Sequence, residues 1–221
     1  MPEQLSFDLP GRTALGRDDF FVSPANANAV AMIEGWQDWP GRKLMLVGPQ
    51  GSGKTHLTHV WMGLSGAATL SAEELPASDI AQLATTHVAV EDCHKIAGDR
   101  EAENALFHLH NLALAEGRTL LLNAATAPAE WPLTLPDLMS RMQGTPSIHI
   151  SAPDDALLGA LLMKLFNDRQ LSPTPATLPY LVTHIDRSYA AAAAAVEELD
   201  AAALQRGRSI TPRLAAEVLD I

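Results

Sequence analysis

The chain carries Gly48-Pro49-Gln50-Gly51-Ser52-Gly53-Lys54-Thr55 between an apolar run, Leu44-Met45-Leu46-Val47, and a helix-compatible segment, His56 to Met62. Strand, glycine loop and helix in this order are the context that a phosphate-binding P-loop requires. Glycines allow successive backbone N–H groups to point inward at an anion, and the next helix adds its positive N-terminal end. The alternative is a plain glycine turn. Eight matched positions in this context favour a nucleotide site, in which Lys54 reaches the outer phosphates and the Thr55 hydroxyl binds Mg²⁺.

Charge and composition narrow the classes of partner. The 221 residues include 15 Lys and Arg against 26 Asp and Glu, which gives a formal net charge of −11. This balance opposes extended contact with a phosphate backbone and favours a protein partner, although it allows a small local basic patch. No apolar run reaches membrane-spanning length and no signal pattern opens the chain, so we expect a soluble cytoplasmic protein with no membrane partner. The single cysteine, Cys93, excludes an intrachain disulfide and a cysteine zinc cluster.

The middle of the chain alternates apolar runs with helical patterns, which predicts a parallel α/β sheet with crossover helices. The candidate strands are Leu44–Val47, Ala67–Leu70, Val88–Glu91, Thr119–Asn123 and Ile148–Ile150. After Pro153 only helices are predicted, over 154–170, 177–184, 188–206 and 211–219. We therefore predict an α/β nucleotide-binding domain over 18–152 and a small all-helical lid over 153–221. The lid has six Lys and Arg against nine Asp and Glu, so it is not a basic DNA-binding module.

Residues 1–17 look like a flexible tail because they contain prolines and glycines and little periodicity. One coherent piece stands out, Gln4-Leu5-Ser6-Phe7-Asp8-Leu9-Pro10. Its apolar side chains at 5, 7 and 9 would line one side of an extended peptide. On composition alone, a disordered leader without function is the alternative.

Polar residues at the ends of two predicted strands are candidates for chemistry. Glu91 and Asp92 end the strand Val88-Ala89-Val90, where P-loop proteins deliver an acid towards Mg²⁺. Glu91 is the candidate metal residue, and Asp92 either polarises the attacking water or takes over a metal contact. The alternative is a pair of solvated acids at the end of a strand. Asn123 ends the next strand, where it either orients water near a γ-phosphate or satisfies backbone groups.

One arginine, Arg141, lies on a short apolar helix, Leu135-Pro136-Asp137-Leu138-Met139-Ser140-Arg141-Met142. An arginine at a subunit edge can reach the γ-phosphate of a neighbour and stabilise the charge of the transition state. A surface arginine in a salt bridge is the ordinary alternative.

The P-loop, the acids at the strand end, the Ser-Arg element and the helical lid, in this order, resemble an AAA+ ATPase. More narrowly, the segment Leu135 to Arg141 and the segment Ile96-Ala97-Gly98-Asp99 resemble the Hda-like proteins, the DnaA-related regulatory inactivators of the initiator DnaA. The likeness covers nearly the whole chain. It includes the tail, since Gln4-Leu5-Ser6-Phe7-Asp8-Leu9 is similar to the peptide by which such proteins dock onto the β sliding clamp.

The resemblance implies roles for particular residues. The P-loop from Gly48 to Thr55, followed by His56, holds ADP or ATP with Mg²⁺, and Phe21 and Val22 lie near the adenine. Asn123 matches the sensor strand, and Arg141 matches the arginine finger, which acts in trans on ATP held by DnaA. The clamp-binding residues of the tail are Gln4, Leu5, Phe7 and Leu9.

The lid departs from the family pattern, in which a helix begins with an arginine that senses nucleotide. The preferred alignment puts Ala190 there, and Arg187, three residues earlier, is the candidate substitute. This departure weakens the expectation of self-hydrolysis and leaves the arginine finger untouched.

Three functions follow from these features. The first is a nucleotide-bound adaptor that docks on the DNA-loaded clamp, stimulates hydrolysis of DnaA-bound ATP and prevents re-initiation of replication. It reaches DNA only through the clamp and could form a homo-oligomer. The second is a DnaA-related initiator or helicase loader that acts on DNA directly, against which the acidic lid counts. The third is a stand-alone ATPase or small-molecule kinase, which Glu91 and Ala190 disfavour.

Overall fold

The computed structural model describes residues 22–221, and the tail lies outside them. Five strands form one parallel sheet: β1 (Lys43–Val47), β2 (Ala68–Ser71), β3 (Val88–Glu91), β4 (Leu120–Ala124) and β5 (Ser147–His149). Their order across the sheet is β2-β3-β4-β1-β5. The α/β fold predicted from the sequence is confirmed, and each strand lies within one residue of its predicted bounds. All carboxyl ends of the strands therefore meet at one edge of the sheet.

Helices cover both faces of the sheet and connect its strands. They are α1 (Ala27–Glu34), α2 (Lys54–Ser65), α3 (Ile80–Leu83), α4 (Arg100–Ala115) and α5 (Pro136–Gln143). Successive residues of β1 alternate between the two cores, as the pleat of a strand requires. Met45 and Val47 pack with α4 and α5, whereas Leu44 and Leu46 pack with α1 and α2.

The first helix begins later than the sequence suggests. The pattern Ser23-Pro24 predicts a cap and a first helical position, but α1 begins at Ala27. Ser23 instead closes a turn, because its hydroxyl accepts a hydrogen bond from the Ala25 N–H and its carbonyl accepts one from the Ala27 N–H. The turn replaces the first helical turn expected from the Ser-Pro pair.

The C-terminal region consists of four helices, as the sequence predicts. They are α6 (Asp155–Asp168), α7 (Thr177–His184), α8 (Tyr189–Arg206) and α9 (Pro212–Leu219). Side chains cap three of them: Asp154 caps α6, Ser188 caps α8 and Thr211 caps α9. A separate apolar core, which includes Phe166 and Leu199, holds these helices together. We call this region the lid.

No helix within residues 22–221 combines the length and the apolar character that a membrane crossing needs.

Candidate functional site

The P-loop leaves the carboxyl end of β1 and leads directly into α2, which begins at Lys54. Two of its glycines, Gly51 and Gly53, have positive φ angles of 73° and 95°. A side chain at Gly51 would press against Ser188, and one at Gly53 would press against the ring of Tyr189. Glycine is therefore required at both positions by the backbone conformation and by the close approach of the lid.

Polar atoms of the P-loop are arranged as an anion site needs them. The Lys54 Nζ atom donates to the carbonyl oxygens of Gly48 and Pro49 at 2.7 and 2.8 Å, so the loop folds around its own lysine. Burial lowers the pKa of Lys54, although Asp92 and Glu91 oppose the shift. The Ser52 hydroxyl is buried and has no hydrogen-bond partner among the described residues. A phosphate group fits this environment because it would accept hydrogen bonds from such donors.

Glu91 meets the start of α2 and the end of β4 at the same edge of the sheet. The Thr55 hydroxyl donates to one carboxylate oxygen of Glu91 at 2.9 Å, and the Asn123 amide donates to the other at 3.3 Å. The same amide donates to the Thr58 hydroxyl at 2.6 Å. The structure thus brings together three residues that the sequence selected. Hydroxyl and carboxylate oxygens are the ligands that Mg²⁺ prefers, so Thr55 and Glu91 fit a magnesium ion.

Asp92 pairs with Lys95 and makes no hydrogen bond to Thr55 or Asn123 among the described residues. Its backbone is left-handed, with φ 57°, and its carboxylate lies 2.6 Å from the Lys95 Nζ atom. The next residue, Cys93, is fully buried, and burial raises the pKa of its thiol to about 12, which makes it unreactive.

The remaining sequence-selected residues lie around or beyond this edge. His56 is the third residue of α2 and is half-buried, and Val22 is exposed before α1. Phe21 and the tail residues Gln4, Leu5, Phe7 and Leu9 lie outside the described residues.

The lid touches the P-loop through the first turn of α8. The Tyr189 N–H donates to the Gly51 carbonyl oxygen at 2.7 Å, and its ring covers Gly53. Burial raises the pKa of the Tyr189 phenol, which hydrogen-bonds to the Asn26 side chain before α1. Ala190 packs on Gly51. Tyr189 therefore joins the lid to both the loop and the first helix.

Arg187 is engaged within the lid rather than with the P-loop. Its guanidinium lies 2.6 Å from the Asp155 carboxylate at the start of α6. Both side chains of this pair are more than half exposed.

Arg141 lies at the opposite edge of the sheet from the P-loop. It is in the last turn of α5, and its carbonyl oxygen accepts from the Lys43 Nζ atom, at the amino end of β1, at 3.4 Å. A strand rises about 3.3 Å per residue, so the two ends of the five-residue β1 are roughly 13 Å apart. The Arg141 side chain is exposed, and no hydrogen bond or ion pair joins its guanidinium to another residue of the 22–221 range.

Both ends of α5 are fixed by polar side chains. At the amino end, the buried carboxylate of Glu103 accepts from the Thr134 and Leu135 N–H groups and from the Thr134 hydroxyl, at 2.8 to 3.0 Å. Burial alone would raise the pKa of Glu103, but these bonds and one from Gly98 outweigh it and lower the pKa.

At the carboxyl end of α5, Lys43 donates to Arg141 and also contacts the His110 Nε2 atom at 3.3 Å. Burial, followed by the charge of Lys43, lowers the pKa of His110 to about 4, so the imidazole is neutral at pH 7 and accepts this bond. The exposed arginine thus projects from a helix that is held at both ends.

No family model matches the chain. The chain is 28% identical over 188 residues to an uncharacterized protein of Haemophilus influenzae. The alignment covers 79% of this chain and 80% of that protein.

Solved structures resemble the fold. Domain III of the replication initiation protein DnaA from Thermotoga maritima superposes with a TM-score of 0.80 at 16% identity, over 96% of this chain and 98% of that one. AMPPCP-bound DnaA from Aquifex aeolicus gives a TM-score of 0.72 at 16% identity, over 88% and 67% of the two chains. The ADP complex of the FIGL-1 AAA domain gives 0.68 at 15% identity, over 91% and 82%.

The chain has the AAA+ fold of DnaA domain III. The five-stranded parallel sheet, its flanking helices and the helical lid all belong to this similarity, which extends over nearly the full length of both chains. The fold places the P-loop and Arg141 at opposite edges of one sheet.

Sequence reasoning missed several residues that shape the site, namely Tyr189, Glu103, Lys43 and His110. A signal existed for two of them. Glu103 and His110 lie on the same buried face of α4 as Leu106 and Ala113, and a polar residue on an apolar helical face requires partners. The contact of Tyr189 with the P-loop joins segments more than a hundred residues apart, and no local pattern reveals it.

Proposed function

We propose that this protein is a nucleotide-bound regulator that stimulates hydrolysis of ATP held by DnaA, by inserting Arg141 into the partner's active site. The observation that carries the proposal is the position of Arg141. Arg141 is exposed on a helix fixed at both ends and lies beside the amino end of β1, whereas the P-loop leaves the carboxyl end of that strand, roughly 13 Å further along it. An arginine so placed is suited to a nucleotide on a neighbouring AAA+ subunit rather than to its own.

The chain's own nucleotide site has a supporting role in this proposal. Lys54, Ser52 and the glycine backbone hold the phosphates of ADP or ATP, and Thr55 and Glu91 hold Mg²⁺, which neutralises phosphate charge when it is bound. Ala190, which follows Tyr189, occupies the lid position at which the family pattern has an arginine that senses nucleotide. We infer that bound nucleotide stabilises the body and lid, and that hydrolysis of the chain's own ATP is weak.

Arg141 acts on charge that develops during hydrolysis in the partner. Its guanidinium has five fixed donors and stays positively charged, so it stabilises the transition state more than the ground state. A finger supplied in trans raises hydrolysis by roughly 10³ to 10⁵ in GTPases. Anchoring by Glu103 and Lys43 reduces the cost of positioning the guanidinium.

The tail supplies the second half of the proposal. Residues Gln4 to Leu9 dock on the β sliding clamp loaded on DNA, which confines the regulator to replicating DNA and raises its effective concentration near DnaA.

One reaction tests the whole proposal. ATP-loaded DnaA is incubated with this chain and with the clamp loaded on DNA, and each component is omitted in turn. We expect rapid formation of ADP-DnaA only in the complete mixture. Changing Gln4 and Leu5 to Ala should abolish clamp binding and stimulation without altering the thermal unfolding of the protein. Hydrolysis that is indifferent to this chain would refute the function, and unchanged clamp affinity would refute the docking role alone.

A further inference from the structure

Three arginines converge on one glutamate at the far end of the lid. Arg206 is the last residue of α8, Arg208 follows in the loop and Arg213 lies in the first turn of α9. Their guanidiniums lie 3.2, 3.9 and 3.0 Å from the Glu217 carboxylate. We call this group the arginine cluster. It gathers half of the six Lys and Arg of an acidic lid around one glutamate, so its four side chains have a formal charge of +2.

The arginine cluster is badly arranged for stabilising the lid. Arg213 is near the amino end of α9, where the helix dipole disfavours a cation, and Glu217 is near the carboxyl end, where the dipole disfavours an anion. Arginine preceding glutamate by four residues is also the weaker order for a helical ion pair. Arg213 is 88% and Arg208 63% exposed, and exposed pairs of this kind contribute about 0–1 kcal/mol at most. Stability alone therefore does not account for the cluster.

The backbone that carries the arginine cluster is fixed. Gly207 ends α8 in the left-handed conformation, and the Arg208 N–H donates to the Ala203 carbonyl oxygen. The buried Ile210 then anchors the loop, since its carbonyl oxygen accepts from the Thr177 hydroxyl at 3.1 Å. The arginines are thus held near one another before any ligand arrives, which lowers the entropic cost of binding.

A cavity of about 340 Å³ lies within the cluster, and its lining combines guanidiniums with hydroxyls: Arg208, Ser209, Thr211, Arg213, Leu214 and Glu217. Each guanidinium has five N–H donors, and one carboxylate accepts only a few of the fifteen that the three arginines offer. Arginine, serine and threonine side chains together with a helix N-terminus are the groups that contact phosphates. We propose that the arginine cluster binds backbone phosphates of duplex DNA, weakly and without regard to base sequence.

Duplex DNA suits the cluster better than a phosphorylated peptide does. The two outermost arginines, Arg208 and Arg213, come from different elements and remain largely exposed. They can reach successive phosphates of a strand, and DNA offers such charges at close and regular spacing. The net charge of −11 opposes extended contact with DNA, so the proposed contact is local and weak. This inference goes beyond the proposed function and does not depend on Arg141.

The test measures binding of the full chain, saturated with ADP so that the P-loop is filled, to a fluorescein-labelled duplex of arbitrary sequence. Fluorescence anisotropy is followed as salt rises from low to physiological concentration. We expect weak binding at low salt that Arg208→Ala with Arg213→Ala largely removes. The slope of log affinity against log salt should fall by about one for each phosphate that the variant can no longer bind. Arg100→Ala, an exposed arginine on α4, is the matched control and should bind as wild type.

Glu217→Gln should change the affinity for the duplex in the opposite direction from the double alanine variant. It removes the one acid of the cluster and should tighten duplex binding, whereas a purely structural network would lose stability without gaining affinity. Three results would each overturn the proposal: no duplex binding by wild type and Glu217→Gln at low salt, unchanged binding by the double alanine variant, or capture of a phosphoserine peptide in place of the duplex. Circular dichroism of each variant shows that it is folded.

Discussion

The two edges of the β-sheet present opposite kinds of site. At the carboxyl edge the polar groups of Lys54, Thr55, Glu91 and Asn123 make hydrogen bonds of 2.6 to 3.3 Å within the protein. At the amino edge Arg141 projects into solvent from an anchored helix. Several groups of the candidate phosphate site are bonded to one another, whereas the Arg141 guanidinium is unpaired among the described residues and lies on a helix held at both ends. This difference agrees with the proposed function, in which the chain binds one nucleotide and acts on another.

The largest effect is expected at the amino edge. Arg141→Ala should reduce stimulation of DnaA-bound ATP hydrolysis by about 10³-fold, the lower range for a finger supplied in trans. ADP affinity and the thermal midpoint of this chain should not change, because the guanidinium contacts neither the P-loop nor the core. Arg169→Ala, at an exposed arginine of the lid, serves as the control, and single-turnover hydrolysis is the measurement. A parallel loss of ADP binding would contradict the separation of the two edges.

The second-largest effect is expected at Glu103, which holds the helix that carries Arg141. Glu103→Gln should destabilise the protein by about 3 kcal/mol, since an amide replaces a buried carboxylate that accepts from Thr134 and Leu135. Urea unfolding measures the change, and Glu101→Gln, an exposed acid on the same helix, should have little effect.

The Glu103 contribution also depends on pH with a definite sign. The pKa of Glu103 is lowered in the folded protein, so its stabilisation is complete above the unfolded value of about 4.3 and is lost as the pH falls through the folded pKa. The stability difference between wild type and Glu103→Gln should therefore shrink below about pH 4. A difference that is constant down to pH 3 would contradict this assignment.

A variant of the carboxyl edge should show the reverse pattern from Arg141→Ala. Lys54→Met should weaken ADP binding by about 10- to 100-fold, the value of a hydrogen bond to a charged group. It should also reduce the rise in thermal midpoint that a fixed concentration of ADP produces, because this stabilisation grows with the ratio of the ADP concentration to Kd. Isothermal titration and thermal unfolding provide the measurements. Full ADP affinity in Lys54→Met would exclude the P-loop as the nucleotide site.

The smallest effect is expected in the lid. Arg187→Ala should change ADP affinity by no more than about threefold, because its guanidinium is paired with Asp155 and the exposed pair contributes about 1 kcal/mol at most. A hundredfold loss in the same titration would instead make Arg187 the substitute for the missing lid arginine.

The sequence predicted those parts of the molecule that short-range patterns determine. The P-loop, the five strands and the lid helices each have a local signature of period, glycine or cap, and the structure has them close to their predicted bounds. Glu91 and Asn123 could be paired from sequence because parallel strands bring their carboxyl ends together. Asp92 follows Glu91 directly, yet its left-handed backbone points it at Lys95, and no periodic pattern conveys that turn.

Residues that act across long distances in the chain could not be predicted. Tyr189 meets Gly51 only because the lid folds back onto the body, and Lys43 meets His110 and Arg141 only because the fold brings the start of β1 beside α4 and the end of α5. The arginine cluster could not be predicted from the composition of the lid. The lid is acidic overall, and a count of charges does not show which side chains lie close together in the fold.

The central claim is that Arg141 contacts charge that develops on a nucleotide held by DnaA. Its most direct test compares the affinity of this chain for DnaA bound to ADP with its affinity for DnaA bound to ADP and aluminium fluoride, which mimics the transition state, on clamp-loaded DNA. We expect wild type to prefer the mimic on the order of 100-fold, as transition-state analogues are preferred, and Arg141→Ala to bind both forms equally. Equal affinity of the wild type for the two forms would contradict the account.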